Sequence, residues 1–433
     1  MPGSSERLRN AMNIQANPTL TAAETALIDA FAARLSELPG DAAVMLRRDE
    51  AVERIKAGLP NRRVEAWHYT DLRRLLATVP PFDPAGDARP LSPLVEGSAV
   101  LPLLNGTATA APVTVEGVAV EALPDLLADG RYAPALALAE RDDAVGAINA
   151  AFVADGRAVE VAEGAEIARP IEVQNVVGAG QSHVRLPVRV GANARVTLVE
   201  RQAGAAGGFA TSVSSLTVGE GAEVLWVIVQ ERAADAAYLG QFNATIAKGG
   251  RLTLFFMNIG GKLVRQEVKV TAEGEACEFR LRGVNLLAGE THCDVTMVLD
   301  HLGYGATSTE VVRNIVLDRA HGVFQGQIRV AREAQKTDAK MACNTLLLSD
   351  EGEFSTKPEL EIFADDVACG HGATVAEIDA DHLFYLMARG IPEKEARGLL
   401  VKAFLAEVIE ELDDEALVTA LEERLNDWFA EHG

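Results

Sequence analysis

Short β-rich runs recur along the middle of the chain, and each begins after a turn made of small residues. Glycines that mark these turns are spaced 27, 30, 29 and 24 residues apart, at Gly164, Gly191, Gly221, Gly250 and Gly274. A loose period of this length is typical of a solenoid, because each unit needs a neighbour to cover its apolar face. The run VLWVIV at Val224–Val229 lacks polar alternation, which indicates a strand that is covered on both faces.

This pattern predicts a mainly β chain with helical ends. Its core, at 156–375, is predicted to be a right-handed parallel β-helix. Residues 1–155 are predicted to form an N-terminal helical or mixed domain, and 376–433 a C-terminal helical domain. A β-sandwich is the alternative for the core, since it is also built from short strands that are separated by turns.

Helical periodicity dominates both ends of the chain. TAAE at Thr21–Glu24 forms a capping box, and Asp379 is placed to cap a helix that runs through HLFYLMAR. The next helix carries an apolar stripe made of Ala396, Leu399, Leu400, Ala403, Phe404, Val408 and Leu412. Three C-terminal helices cannot bury this surface among themselves, so we expect them to pack on the end of the solenoid or on a partner.

The segment EAWHYTDLRR places Trp67 and Tyr69 among basic residues. We interpret it as a helix or turn with a surface aromatic. Its arginines are not accompanied by a Gly-rich P-loop, so the sequence does not indicate ATP hydrolysis by this chain.

The chain of 433 residues has a formal net charge of −23 at pH 7. Such an acidic surface repels phosphate backbones and anionic lipids, so nucleic acid and membranes are not expected partners. No run approaches the roughly 20 apolar residues of a transmembrane helix. The N-terminal stretch MPGSSERLRNAMNIQ lacks the apolar core of a signal peptide. We therefore expect a cytoplasmic protein.

The cysteines are Cys277, Cys293, Cys343 and Cys369, without a C-x-x-C motif. A local zinc knuckle or self-contained cluster motif is therefore not expected, and a metal would need ligands from distant parts of the fold or from another chain. Cys369 and His371 are two residues apart. In a strand they would share one face, about 6.5–7 Å apart along the chain. A thiolate and an imidazole together suit iron, zinc or the edge of an iron–sulfur cluster as ligands. The alternative is a structural role, in which a buried cysteine lies beside a hydrogen-bonded histidine.

The remaining candidate ligands have weaker patterns. His292 and Cys293 are adjacent, so a strand would place them on opposite faces, which argues against joint ligation. Cys277 and Cys343 lie in apolar settings that are typical of small core residues. Glu359 and Glu361 have a spacing that suits the paired carboxylates of a sugar-cleaving enzyme, so a cytosolic carbohydrate-active β-helix is the alternative function.

Two long segments resemble a known family. TKPELEIFADDVACGHGATV at 356–375 and DHLFYLMARGIPEKEARGLLVKAFLAEVI at 381–409 closely resemble the C-terminal signature of the SufB/SufD family. EAWHYTDLRRL at 65–75 is similar to an N-terminal motif of the same family. Within the family the chain resembles the SufD branch, because Gly372 stands where SufB-type chains usually carry a glutamate.

The resemblance implies a non-enzymatic scaffold subunit of the Suf iron–sulfur assembly machinery. Its implied partners are a SufB-like subunit and a SufC-type ABC ATPase, and a homodimer is left open for the isolated chain. It implies no tightly bound cofactor, but a transient iron–sulfur cluster or iron at the subunit interface, with His371 as the favoured ligand and Cys369 beside it. The ATPase would dock on the C-terminal helices through Phe384, Leu399, Leu400, Phe404 and Val408.

Overall fold

The computed structural model describes residues 19–109, 114–138, 140, 142–204 and 207–432. The N-terminal stretch on which the signal-peptide prediction depends lies outside these residues. The nineteen strands of the described part are β1 Ala99–Leu104, β2 Thr107–Ala108, β3 Val118–Ala122, β4 Asp155–Val161, β5 Ile171–Val177, β6 Gln181–Val190, β7 Arg195–Gly204, β8 Phe209–Val218, β9 Glu223–Arg232, β10 Ala237–Ile246, β11 Arg251–Ile259, β12 Leu263–Ala272, β13 Glu278–Leu287, β14 His292–His301, β15 Thr307–Val316, β16 His321–Val330, β17 Asp338–Leu347, β18 Glu353–Ile362 and β19 Ala368–Ala376.

Helices precede β1, lie between β3 and β4, and follow β19. The α-helices are α1 Ala22–Arg34, α2 Ala42–Lys56, α3 Leu72–Leu75, α4 Leu123–Ala128, α5 Ala144–Phe152, α6 Ala380–Ala388, α7 Glu393–Ile409 and α8 Glu415–His432, with 3-10 turns at Glu65–Trp67 and Ala133–Leu136. The predicted capping box of α1 is present, and the Asp379 side chain caps α6. No helix among the described residues is both long and apolar enough to span a membrane.

From β4 onward, successive strands alternate between two sheets, so that each coil of the chain contributes one strand to each. Sheet A has the order β19-β17-β15-β13-β11-β9-β7-β5-β1-β2, and sheet B the order β18-β16-β14-β12-β10-β8-β6-β4-β3. From β4 onward neighbouring strands are parallel, and paired residues are 26 positions apart at Ala237 and Leu263 and 32 apart at His321 and Glu353. The predicted parallel β-solenoid is confirmed and the β-sandwich is wrong; the handedness stays a prediction.

Alternate side chains fill the space between the two sheets. In β9, Trp226 and Ile228 point into this interior, whereas Val227 and Val229 point outward into a second apolar cluster. The outer face of sheet A is covered by α7 and α8, and part of the outer face of sheet B by the N-terminal helices. The VLWVIV run is apolar throughout because both faces of its strand are covered.

The solenoid extends further towards the N-terminus than residue 156. Strand β1 pairs in parallel with β5, and β3 pairs antiparallel with β4. The first coil therefore includes a segment between the N-terminal helices, and the N-terminal domain wraps this end of the solenoid.

Helices α7 and α8 pack on the side of the solenoid, so the prediction that the C-terminal helices pack on its end is wrong. Two arginines of sheet A hold α7 and the turn that follows it: Arg282 Nε is 2.5 Å from Glu411 Oε2, and Arg313 Nη2 is 3.0 Å from Glu407 Oε2. The Arg313 guanidinium also lies 5.1 Å from the centre of the Phe404 ring. Among the described residues, the last coil of the solenoid, β18 and β19, is not packed against an α-helix; the Lys357–Glu65 ion pair joins β18 to the N-terminal 3-10 turn.

Candidate functional site at the open end of the solenoid

Cys369 and His371 both lie on β19, the last strand of sheet A. The register pairs Cys369 with Ala339 and His371 with Met341. Ala339 and Met341 belong to the core between the sheets, and paired residues in a parallel sheet face the same way. Both candidate ligands therefore point towards the solenoid interior at its last coil, on one face as the spacing predicted.

The two side chains differ in their exposure. Cys369 is half-buried and packs against the apolar core, whereas His371 is exposed. Burial raises the pKa of the Cys369 thiol, and the negative charges of Asp338 and Glu310 raise it further. At neutral pH the sulfur is therefore held as a thiol, which must lose its proton before it can bind a metal. The imidazole is the more accessible of the two ligands.

The glycines beside His371 leave space on the outer face of β19. A Cβ atom built on Gly370 or Gly372 would meet no heavy atom within 4 Å. The packing of this chain alone therefore does not require glycine at either position. Glycine in a strand often marks a place where another backbone approaches closely.

The open end contains too few ligands to enclose a metal by itself. Among the described residues, no group of three or more His, Cys, Asp or Glu side chains is arranged to hold a metal ion. Structural metal sites usually have four protein ligands. Cys369 and His371 can therefore supply at most half of such a site.

The other cysteines are structural, as the sequence predicted. Cys277, Cys293 and Cys343 are buried. Burial raises the pKa of each thiol, that of Cys343 to about 12. His292 points away from Cys293: its Nε2 lies 2.9 Å from Thr70 Oγ1 of the N-terminal domain. Joint ligation by His292 and Cys293 is therefore excluded by their orientation.

Of the two aromatics of the EAWHYTDLRR segment, Trp67 is buried and Tyr69 is half-buried, so the prediction of a surface aromatic is wrong for Trp67. Trp67 is 1% exposed, and the Arg265 guanidinium lies 3.7 Å from the centre of its ring. Arg265 Nη1 in turn is 2.5 Å from Asp294 Oδ2, and Thr70 donates a hydrogen bond to the same carboxylate. This segment therefore packs the N-terminal domain against the outer face of sheet B. The sequence did not predict this contact, because the partners of Trp67 and Thr70 lie some 200 residues further along the chain.

Glu359 and Glu361 lie on the outward face of β18, opposite to the inward set that includes Leu360. Glu359 Oε2 is 2.9 Å from Lys357 Nζ, which also contacts Glu65 at 3.0 Å. Glu359 therefore belongs to a bridge between β18 and the N-terminal domain. Nothing in this arrangement favours the carbohydrate-active alternative.

The five residues predicted to bind the ATPase are not equally available. Phe384 on α6 is 72% exposed and Leu399 on α7 is 46% exposed, while Leu400 and Phe404 are half-buried. Val408 is fully buried in the cluster between α7 and sheet A. The prediction that Val408 belongs to the docking surface is therefore wrong. The apolar stripe of α7 is wide, so that one part of it, including Val408, packs on sheet A while another part remains exposed.

Comparison with known proteins places this chain in one family. Residues 173–404 match the family model described as the SufBD core domain of SUF system FeS cluster assembly. An iron–sulfur cluster assembly SufBD family protein of Synechocystis is 29% identical over 385 residues, which span 82% of this chain and 84% of that protein.

Two further relatives cover the chain to different extents. The iron–sulfur cluster assembly protein SufD of Escherichia coli is 40% identical over 159 residues, which span 37% of this chain and 38% of that protein. The chloroplastic protein ABCI7 of Arabidopsis thaliana is 27% identical over 413 residues, which span 87% and 84% of the two chains. The matched core includes the solenoid from β5 onward and both candidate ligands, and the chain belongs to the SufBD family of the SUF iron–sulfur cluster assembly system.

Proposed function

We propose that this chain is a non-enzymatic scaffold subunit on which an iron–sulfur cluster is assembled, with His371 and Cys369 as its contribution to the cluster's ligands. A SufB-like subunit completes the site. The observation that carries this proposal is the position of the pair on the last strand of the solenoid, pointing into an end that no further coil of the described structure covers.

The surface around the pair has the character of an interface. Ile362, Phe363 and Val375 are 41%, 64% and 41% exposed around the final coil. In addition, β18 and β19 are ten and nine residues long and have no neighbour on their outer edges within the described part of the chain. Long edge strands are templates for pairing with another chain, so a partner with a matching solenoid end would add its strands here.

A second partner, a SufC-type ATPase, is proposed to bind α6 and the exposed side of α7. Phe384, Tyr385 and Met387 are 72%, 56% and 42% exposed on α6, a helix without a single buried residue. The opposite side of α7 is anchored on sheet A through Arg282 and Arg313. Movement of the ATPase would therefore be transmitted to β13 and β15, which are three and two strands from β19 in sheet A.

In the assembly step, the cluster is the product that is built and passed on. This chain supplies ligands for it and helps to keep water away from it. His371, being exposed, would bind iron first through its neutral imidazole. The Cys369 thiol would then lose its proton as iron approaches, so loading should weaken in mild acid. Closure by the partner would supply the remaining ligands and the dry surroundings.

The test is anaerobic reconstitution of the co-expressed complex, followed by absorption and Mössbauer spectroscopy of the bound iron. We expect His371→Ala to leave the subunit folded and the complex assembled, while cluster yield falls several-fold. A cluster yield equal to that of the wild type would remove His371 from the site.

A further inference from the structure

Three consecutive hydrogen bonds cross the outer face of sheet A from α7 to the last strand. On α7, Glu407 Oε2 accepts a hydrogen bond from Arg313 Nη2 of β15 at 3.0 Å. The other terminal nitrogen of this guanidinium, Nη1, donates to Asn344 Oδ1 of β17. Asn344 Nδ2 in turn donates to Thr374 Oγ1 of β19 at 2.7 Å. These four residues form the α7–β19 relay.

The strand register explains why the relay has this direction. Arg313, Asn344 and Thr374 are paired in succession, so their side chains stand on one face of the sheet, about 4.8 Å apart from strand to strand. The two positions that precede Arg313 in this ladder are Met257 and Val284, which are buried in the cluster that includes α7 and α8. The ladder therefore changes from apolar to polar at β15, and its polar part extends to β19.

Thr374 is the position at which a side chain can hold the outer face of β19. The residues that share this face with Thr374 are Gly370, Gly372 and Ala376, which have no polar side-chain atom. Within the described structure, the backbone of β19 pairs with β17 alone in sheet A. Since Thr374 lies three residues after His371 on the same strand, a change in its hydrogen bond acts on the strand that carries both candidate ligands.

A second ion pair between sheet A and the end of α7 lacks such a continuation. Arg282 Nε is 2.5 Å from Glu411 Oε2. The positions that follow Arg282 towards the open end are Val311, Ala342 and Gly372, none of which has a side-chain donor or acceptor. One anchor of the α7 region is therefore connected to β19 through side chains, and the neighbouring anchor supplies a control.

We propose that the relay couples the position of α7 to the local stability of β19, with Arg313 and Asn344 as positioning residues for the ligand strand. Hydrogen bonds from a charged donor are stronger than neutral ones, and hydrogen bonds in a chain polarise one another. An Asn344 amide that is oriented by the guanidinium is therefore a firmer donor to Thr374. Movement of α7 away from sheet A would remove Glu407 from Arg313, loosen the guanidinium and let β19 open more often.

This coupling gives the candidate site a means of regulation from α7. A partner that binds the exposed side of α7 would change how firmly β19 holds His371 and Cys369 in place. This consequence rests on the proposed function, because it assumes that the two side chains are ligands. The coupling itself is a property of the chain alone and is tested without iron or a partner.

The test is hydrogen–deuterium exchange of the backbone amides of the full, isolated chain. Exchange in β19 is the readout, and β9, in the middle of sheet A, reports any change in overall stability. We compare Glu407→Ala with Glu411→Ala, since each removes an exposed carboxylate that pairs with an arginine of sheet A. Glu407→Ala should accelerate exchange in β19 at least threefold, whereas Glu411→Ala should leave it unchanged.

Variants within the relay separate coupling from a local loss of structure. Asn344→Ala should itself accelerate exchange in β19, and Glu407→Ala should add nothing in this background because the connection is already broken. Thr374→Val should also accelerate exchange, although valine favours strands. Thr374→Ser retains the hydroxyl and should therefore exchange more slowly than Thr374→Val.

Two results would overturn the inference. The first is an equal rate of exchange in β19 for the Glu407→Ala and Glu411→Ala proteins. The second is an effect of Glu407→Ala that has the same size with and without the Asn344 side chain. Both are independent of the proposed function, whose own test is the cluster yield of the His371→Ala complex.

Discussion

The two ends of the solenoid are built in opposite ways. At the N-terminal end the outermost strands are short: β2 has two residues and β3 has five, and both pair antiparallel with their neighbours. At the C-terminal end the outermost strands, β18 and β19, have ten and nine residues and are parallel to the strands beneath them. A repeat protein needs its ends capped, because a terminal coil has no neighbour to bury its apolar face.

This difference shows that the chain caps the N-terminal end of its own solenoid. Short antiparallel edges and an adjacent helical domain protect the first coil from pairing with other chains. The last coil keeps long edges, exposed apolar side chains and the Cys369–His371 pair. We therefore expect substitutions where the chain covers itself to lower stability, and substitutions at the open end to affect assembly instead.

The largest effect is expected where the N-terminal domain meets sheet B. Asp294→Ala would leave the buried Arg265 guanidinium without one of its two carboxylate partners. Removal of one member of a buried ion pair typically lowers the free energy of unfolding by about 3–5 kcal/mol. Urea unfolding followed by circular dichroism measures this loss. The control is Glu290→Ala, whose partner Arg319 is exposed, and it should cost less than about 1 kcal/mol; equal losses would contradict the account.

Acid should weaken the parts of the fold in which imidazoles are buried. Burial lowers the pKa of His183 to about 3 and the pKa values of His292 and His301 to about 4. Since these imidazoles bind protons more readily in the unfolded chain, stability is fully present above pH 6.5 and falls as the pH drops towards 4. Each should contribute about 1 kcal/mol per pH unit in that window.

Urea unfolding at a series of pH values checks this slope. The His292→Asn variant should lose part of it, because one buried imidazole has been removed. A variant whose slope equals that of the wild type would show that His292 is not protected from protonation by burial.

At the open end we expect assembly to fail without loss of stability. Val375 points towards the solenoid interior, which is open at this last coil, so its side chain is 41% exposed. Val375→Lys places a charge there. Its free energy of unfolding should stay within about 0.5 kcal/mol of the wild type. Binding to a SufB-like subunit, measured by isothermal titration calorimetry, should weaken at least tenfold because a charge would be buried in the interface. Unchanged affinity would place the partner elsewhere.

The smallest effect on stability is expected on α6. Phe384→Ser changes the most exposed large apolar side chain of the described structure, so the free energy of unfolding should not change measurably. Co-purification of a SufC-type ATPase should nevertheless be lost. Leu46→Ser, which alters another exposed side chain on the N-terminal domain, is the matched control. Retention of the ATPase by the Phe384→Ser protein would remove α6 from the docking surface.

Local signals in the sequence were sufficient to predict the β-solenoid and its helical ends. The glycine-marked period, the apolar VLWVIV run and the caps at Thr21 and Asp379 each depend on residues that are close in sequence, and the structure contains all of them. The shared face of Cys369 and His371 follows in the same way from the two-residue period of a strand.

Features that depend on distant partners could not be predicted. Trp67 looked like a surface aromatic because its cover, Arg265, is supplied by β12. Val408 and Leu399 belong to one apolar stripe, and only the packing of α7 on sheet A shows that the first is buried and the second exposed. Glu310 carries no local signal, since its inward orientation depends on the register of three strands.

Hydrogen–deuterium exchange of the backbone amides tests the difference between the two ends most directly. The chain is measured alone and in complex with a SufB-like subunit, with β1, already paired on both sides, as the internal reference. The account predicts that β19 becomes strongly protected in the complex while β1 does not change. A stable complex in which the exchange of β19 is unchanged would contradict it.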